Sequence, residues 1–270
     1  MSPVTVVHWN PSTAPGRLGA LLAPVRGRID NFGDLLGPMI VDEMVRSRAL
    51  GRPRGRRRLL AVGSILKLAR PGDVVWGAGV NGKSVDHDAD YSRVDVRAVR
   101  GPLTATWLRD RGAEVPDVFG DPGLLVASLW PATDAELSAT RRLCVIPNLH
   151  DAHLYRDHPD AVSPRAPFAE VRRRILASEL VVGSSLHAIV VAEAYGVPAR
   201  LIRPGREPLF KYEDYYRGTG RSTFTPADGV DHAVRAGGEP QPVWEPTSLL
   251  GAFPSDLWRR AQSSPWAMHR

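Results

Sequence analysis

The chain is 270 residues long, 43% hydrophobic and 24% charged, the balance of a soluble globular protein of one large domain or two ordinary ones. No apolar run approaches the length of a membrane-spanning helix, and the single cysteine, Cys144, excludes an internal disulfide framework. No Cys/His cluster has zinc spacing, and the net charge of +6 comes almost wholly from arginine, which favours acidic ligands through bidentate contacts.

Met1 to Val7 lacks the basic start and long apolar stretch of a signal peptide, so a cytoplasmic location is expected. Val4 to Trp9 reads as an opening strand, followed by a Pro/Gly-rich loop to about Arg28. Asn31-Phe32-Gly33-Asp34 then leads into a helix whose apolar positions Leu35, Leu36, Met39, Ile40, Met44 and Val45 recur at helical spacing. Asp34 is placed as the cap or first-turn acid. A carboxylate after the first strand of an α/β sheet also stands where ligands gather. The run Arg52 to Arg58 is short, lacks interleaved aromatic residues and lies between a helix and a strand. It reads as a solvated basic loop, with no nucleic-acid partner.

Leu59 to Val62 and Asp73 to Trp76 read as buried strands. The second ends in the glycine loop Gly77 to Gly82, which permits close backbone approach to a ligand. The loop opens no GxGxxG helix and carries no Walker lysine, so a dinucleotide or P-loop site is not indicated. Asp95 to Val99 is the next strand, and Arg100-Gly101-Pro102 turns it into a helix with Pro102 near N1 and Gly112 as the stop. Arg100 is thereby aimed at the same edge as the glycine loop. Val118 to Gly123 is another strand end, with Asp121 in its turn.

From Ala127 to Arg141 periodicity is lost, and the connection between two units is placed there: an N-terminal domain over 1–130 and a C-terminal domain with a tail over 131–270. Arg142 to Pro147 restarts the strand pattern, with Asn148-Leu149-His150-Asp151 at its end. An amphipathic helix over Pro167 to Ser178 leads into Glu179 to Ile202, which is strand, tight turn, helix, strand: a βαβ unit. Its turn leaves Ser184, Ser185 and His187 at a helix N-terminus, where backbone N–H groups and the dipole favour an anion. Serine capping and a structural histidine explain the same residues without a ligand. Glu193 inside that helix reads as a solvated or paired carboxylate. Lys211 to Tyr216 is an aromatic, charged helical turn suited to sugar stacking or to packing. The tail is proline-rich until Asp256 to Arg260, which reads as a short docking helix.

Several of these pieces, taken in order, resemble the polysaccharide pyruvyl transferase family. They are NFGD at Asn31 to Asp34, GAG at Gly77 to Gly79, RGP at Arg100 to Pro102 and GDPGLL at Gly120 to Leu125. GSSLHAIVVAEAYGVP at Gly183 to Pro198, KYEDYY at Lys211 to Tyr216 and AFPSDLW at Ala252 to Trp258 extend the match. The resemblance implies an α/β fold of two Rossmann-like domains in a GT-B-like arrangement, with a cleft between an acceptor-side first domain and a donor-side second one. It also implies transfer of pyruvate from phosphoenolpyruvate onto two hydroxyls of a sugar, giving a cyclic ketal, with no cofactor beyond that co-substrate. The acceptor would be a saccharide or a glycolipid-linked saccharide, the latter allowing peripheral association with a membrane. A serine stands in the donor corner where some members carry Arg, which would shift work to Arg100.

Position at strand ends then gives each candidate a role. His187, with Ser184 and Ser185, binds the donor and serves as its acid. Arg100 pairs with the donor carboxylate or phosphate, and Lys211 assists. Asn31, Asp34 and His150 line the opposite, acceptor wall, where Asp34 activates the hydroxyl. Asp121 is a lesser candidate, more simply a turn-former. His150 beside Asp151 suggests an oriented acid/base pair, although sequence neighbours seldom face each other. Two rival functions share these features: a GT-B glycosyltransferase using a nucleotide sugar, and a non-catalytic binder of acidic polymer or nucleic acid through the arginines.

Overall fold

Short β-branched and aliphatic runs become short strands, most of them buried. Thr5–Val7 (β1), Arg58–Leu60 (β3), Val74–Trp76 (β4) and Asp95–Ala98 (β5) form an all-parallel sheet in the order β1-β3-β4-β5. Register is set by Val6 opposite Leu59, Leu59 opposite Val74, and Val75 opposite Val96. Cys144–Val145 (β6), Val181–Gly183 (β7) and Ala199–Leu201 (β8) make a second parallel sheet in sequence order. These arrangements come from a computed structural model, which describes residues 4–10, 30–137 and 140–260. The Pro/Gly-rich loop expected to reach Arg28 lies, after residue 10, outside the described residues. The fold is mixed α/β with parallel sheets, one on each side of residue 130 in the sequence.

Helix α1, Phe32–Ser47, buries Leu36, Ile40 and Met44 of the expected stripe together with Phe32 and Val41, in one core with Val62, Trp76 and Leu125 of the first half and Ile189 and Val190 of the second, while Leu35 and Val45 are half-buried and Met39 is exposed. The βαβ unit forms as its sequence reads. The helix between β7 and β8, Leu186–Ala194, is buried on nearly every face, which is why its sequence is apolar almost throughout.

Two expectations for the arginine run and the tail are corrected by one contact. Leu50–Pro53 (β2) is not loop but strand, paired antiparallel with Trp258–Arg260 (β9), where a docking helix was expected. The Arg54 N–H donates to Leu257 O and its Nε to Trp258 O, so only the middle of the basic run is solvent-facing loop. An unpaired strand edge gains more from main-chain pairing than a lone helical turn could offer, and Trp258, stacked on Phe253 at 5.6 Å, anchors the register. The tail before it also holds two short helices, Val230–Ala236 and Pro246–Gly251. It returns to the first sheet, with Trp76 Nε1 donating to Leu249 O and Trp244 Nε1 to Phe119 O.

Candidate active site

The carboxyl ends of both parallel sheets open on one cavity of about 450 Å³. Its wall includes Asn31 and Asp34 from the start of α1, Ser64, Asn81 and Lys83 after the first-sheet strands, Asn148 and His150 after β6, Ser185 and His187 after β7, then Glu207 and Lys211. Two helix N-termini therefore share this wall, that of α1 and that of Leu186–Ala194. First-turn N–H groups have no intrahelical acceptor and the dipoles add, so the wall is built to receive negative charge. The chain has only three lysines among its 35 basic residues, and all three line this cavity.

Each helix start explains a piece of sequence. Ser185 does cap its helix, accepting from the Ala188 N–H at 3.4 Å, while Ser184 Oγ accepts from the Asn148 N–H at 3.1 Å. Ser184 is buried and does not line the cavity. Asn31 Nδ2 donates to Asp34 Oδ2 at 2.7 Å. Gly33 is required by close approach: a Cβ there would stand 2.1 Å from His187 Nδ1. Gly33→Ala must push the imidazole off α1, and we expect about 1–3 kcal/mol of overpacking cost. Urea unfolding and melting temperature check this; an unperturbed variant would remove the contact from the account.

His187 lies 12% exposed, its Nε2 sealed from solvent. Burial first, then the charges of Lys211 and Arg100, push its pKa down to about 3, so the free protein holds a neutral imidazole. Burial pushes Asp34 the other way, up to about 6, against the Asn31 hydrogen bond and the charges of Lys211 and His8. Glu207 is the collecting point for basic side chains. It meets Lys83 Nζ at 2.5 Å, Lys211 Nζ at 3.1 Å and His150 Nε2 at 3.4 Å. Burial would raise the Glu207 pKa, but the two lysines outweigh it and hold it below the ordinary carboxylate value. Lys211 is lowered by burial, with Glu207 opposing.

Arg100 stands elsewhere. Its guanidinium is fully buried, donating from Nε to Asp214 Oδ2 at 3.0 Å, from Nη1 to Ser64 Oγ at 2.8 Å and from Nη2 to Val80 O at 2.8 Å. Fully buried and absent from the cavity wall, Arg100 is not brought to the place where a pairing with a donor anion was expected, and its guanidinium instead ties Asp214, Ser64 and Val80 together in the interior. The glycine loop is corrected with it: the close approach that Gly79 permits is that of Arg100, whose Cζ would lie 2.3 Å from a Cβ at that position. Cavity-facing cations come instead from Lys83 and Lys211, with Lys67 and Arg165 also on the wall.

The remaining expectations divide. Asp121 is a turn-former, its Oδ1 accepting from the Gly123 N–H at 2.8 Å, yet its Oδ2 is sealed without a partner 3.9 Å from His187 Nε2. Asp151 turns from His150 to Asn148 Nδ2 and the Gly205 N–H, so the two neighbours form no acid/base pair. Glu193 is a paired carboxylate, held by Arg221 at 2.6 and 2.8 Å and by the Tyr215 hydroxyl at 2.5 Å. Tyr212, Tyr215 and Tyr216 are core residues, leaving no ring of KYEDYY for sugar stacking. Sequence reasoning missed Glu207, Lys83 and Asn148; the rarity of lysine was the signal that could have found Lys83.

Comparison with known proteins follows this geometry. A solved structure of an uncharacterised Klebsiella pneumoniae protein, KP1_0663, superposes with a TM-score of 0.47 at 11% identity, over 83% of this chain and 93% of that one, which is too low to assign a fold by. The succinoglycan biosynthesis protein ExoV of Rhizobium meliloti is 28% identical over 206 residues, covering 70% of this chain and 62% of ExoV. The chain thus matches less than two thirds of that relative's length. The family model for polysaccharide pyruvyl transferases matches residues 45–206, which takes in Lys83, Asp121, the Ser-Ser-Leu-His corner and more than half of the sequence. On that match the chain belongs to the polysaccharide pyruvyl transferase family.

Proposed function

We propose that this chain transfers pyruvate from phosphoenolpyruvate to two hydroxyls of a saccharide acceptor, forming a cyclic ketal and releasing phosphate. The observation that carries the reading is the shared wall of two helix N-termini and three lysines around a neutral His187 and a partly protonated Asp34. Phosphoenolpyruvate presents a carboxylate and a phosphate, and such a wall offers oriented N–H donors and cations to both. Two Rossmann-like domains in a GT-B-like arrangement, 1–130 on the acceptor side and 131–270 on the donor side, accommodate the reading. Supporting it are a parallel sheet on each side of residue 130 and a cavity lined from both.

The protonation states favour an exchange of the roles expected from position. Asp34, pushed up to about 6 and opening on the cavity, keeps a protonated fraction close to neutrality, and it protonates the terminal enol carbon. The central carbon becomes oxocarbenium-like and an acceptor hydroxyl adds to it. His187, neutral and offering Nδ1, takes the proton of that hydroxyl once the bound donor's anionic charge offsets the burial and cations that hold its pKa down in the free protein. Phosphate departs and the second hydroxyl closes the ring. One hydroxyl proton is balanced by the new methyl hydrogen and the other leaves on phosphate, so no redox cofactor enters. Lys83 and Lys211 hold the donor's anionic groups, and His150 and Asn31 face the acceptor.

Thermal stabilisation by phosphoenolpyruvate, set against UDP- and GDP-sugars, tests the donor. We expect a shift of several degrees with phosphoenolpyruvate alone, lost on raising the salt. A shift with a nucleotide sugar and none with phosphoenolpyruvate would transfer the assignment to glycosyl transfer.

A further inference from the structure

We infer that Asp121 is the positioning carboxylate of His187, holding the imidazole in the tautomer that keeps hydrogen on Nε2 and turns the Nδ1 lone pair to the cavity. The inference deepens the role proposed for His187 and rests on that reading only for its catalytic consequence.

The geometry begins with two buried atoms that lack partners. Asp121 uses Oδ1 to cap the 3₁₀ turn Pro122–Leu125, which leaves Oδ2 free of structural duty. Oδ2 is sealed and without a hydrogen bond, and so is His187 Nε2. Buried polar atoms are nearly always satisfied, so two orphans 3.9 Å apart call for a joint explanation. Closing that gap by about 1 Å makes an N–H···O bond, a movement a side-chain rotation supplies. Only the Nε2–H tautomer gains from it, since a bare Nε2 would set its lone pair against the carboxylate's.

The surroundings favour the same state. His187 faces Asp121 at Nε2 and Gly33 at Nδ1, with the charges of Lys211 and Arg100 acting on the ring. Asp121 in turn feels Arg100 and, with opposite effect, Asp214. Burial pushes the Asp121 carboxyl up to about 6, so above that pH it is ionised and a full acceptor for Nε2–H. With Nε2 sealed, Nδ1 is the ring nitrogen that can meet a ligand in the cavity. An aspartate behind a histidine that fixes tautomer and orientation is the arrangement by which hydrolytic triads tune their base.

The decisive variant is Asp121→Asn. Its Oδ1 still accepts from the Gly123 N–H, so the turn survives, while its NH₂ now points a donor at Nε2 and inverts the tautomer. We expect ¹⁵N spectra of the histidine-labelled full chain at pH 7.5, with His187 assigned by its loss in His187→Gln, to show the Nε2–H form. In Asp121→Asn the same resonances should report the Nδ1–H form. Turnover should fall about 10²-fold or more, with the KM for phosphoenolpyruvate within about threefold. An Nδ1–H tautomer in the unmodified chain overturns the inference whether or not the variant folds. So does an Asp121→Asn protein with unchanged turnover. The spectra need no substrate, so a failure of phosphoenolpyruvate to bind would sink the proposed activity and leave the tautomer result standing.

Discussion

Asp214→Ala is expected to cost about 3–5 kcal/mol of stability, enough to remove much of the margin of an ordinary domain. Asp214 and Arg100 are both fully buried, and Asp214 also accepts from the Thr104 N–H at 2.9 Å and from Thr104 Oγ1 at 2.6 Å. Truncating the aspartate leaves a guanidinium charge in the interior with only Ser64 Oγ and Val80 O for company. The uncompensated charge, more than any lost contact, sets the size of the effect. Because Asp214 lies on the helix Phe210–Gly218 and Arg100 follows β5, the pair also pins that helix against Pro102–Arg109. Urea unfolding should show the midpoint falling in proportion, and a loss below about 1 kcal/mol would mean that the charge finds water.

Asp34→Asn is expected to lower kcat/KM by about 10²–10⁴ while making the protein more stable at pH 8. The two effects share one cause. Burial holds the Asp34 carboxyl above its unfolded value of 3.8, at about 6, so between these values the folded chain binds more protons than the unfolded one. Stability therefore declines as pH rises through that window, and the full penalty of the buried carboxylate is present above it. Two pKa units correspond to roughly 3 kcal/mol, an upper figure that the neutral asparagine escapes. Asparagine keeps an oxygen for Asn31 Nδ2, so the first turn of α1 is undisturbed. Unfolding measured at pH 5 and pH 8 should show the gap between variant and wild type widening with pH. A gap that is constant, or that narrows, would return Asp34 to an ordinary solvated acid and remove it as the proton donor.

Local order was legible in the residues; the meeting of distant segments was not. Val181–Gly183, the helix Leu186–Ala194 and Ala199–Leu201 follow from β-branched runs, a serine cap and a glycine stop, all short-range signals. Arg100 was read correctly as standing at a strand-to-helix corner, but its direction depends on Asp214, 114 residues away, which no periodicity announces. Glu207 was passed over because a lone glutamate in a loop carries no pattern; its meaning comes from Lys83, Lys211 and His150 converging on it. The glycine loop reads as room for a ligand against the backbone, and the NFGD glycine carries no reading of its own. What they serve is the volume of a facing side chain, Arg100 for Gly79 and His187 for Gly33.

The confinement of lysine to positions 67, 83 and 211 has a practical consequence. Everywhere else the chain meets solvent with guanidinium, which does not lose its proton and is a poor nucleophile near neutrality. Its side-chain primary amines therefore belong to one address, and Lys211, whose pKa burial lowers, is the least exposed of them. Once labelling of the α-amino group is subtracted, acylating or imine-forming reagents will report on that single chamber, so the extent of lysine labelling becomes a gauge of whether it is occupied.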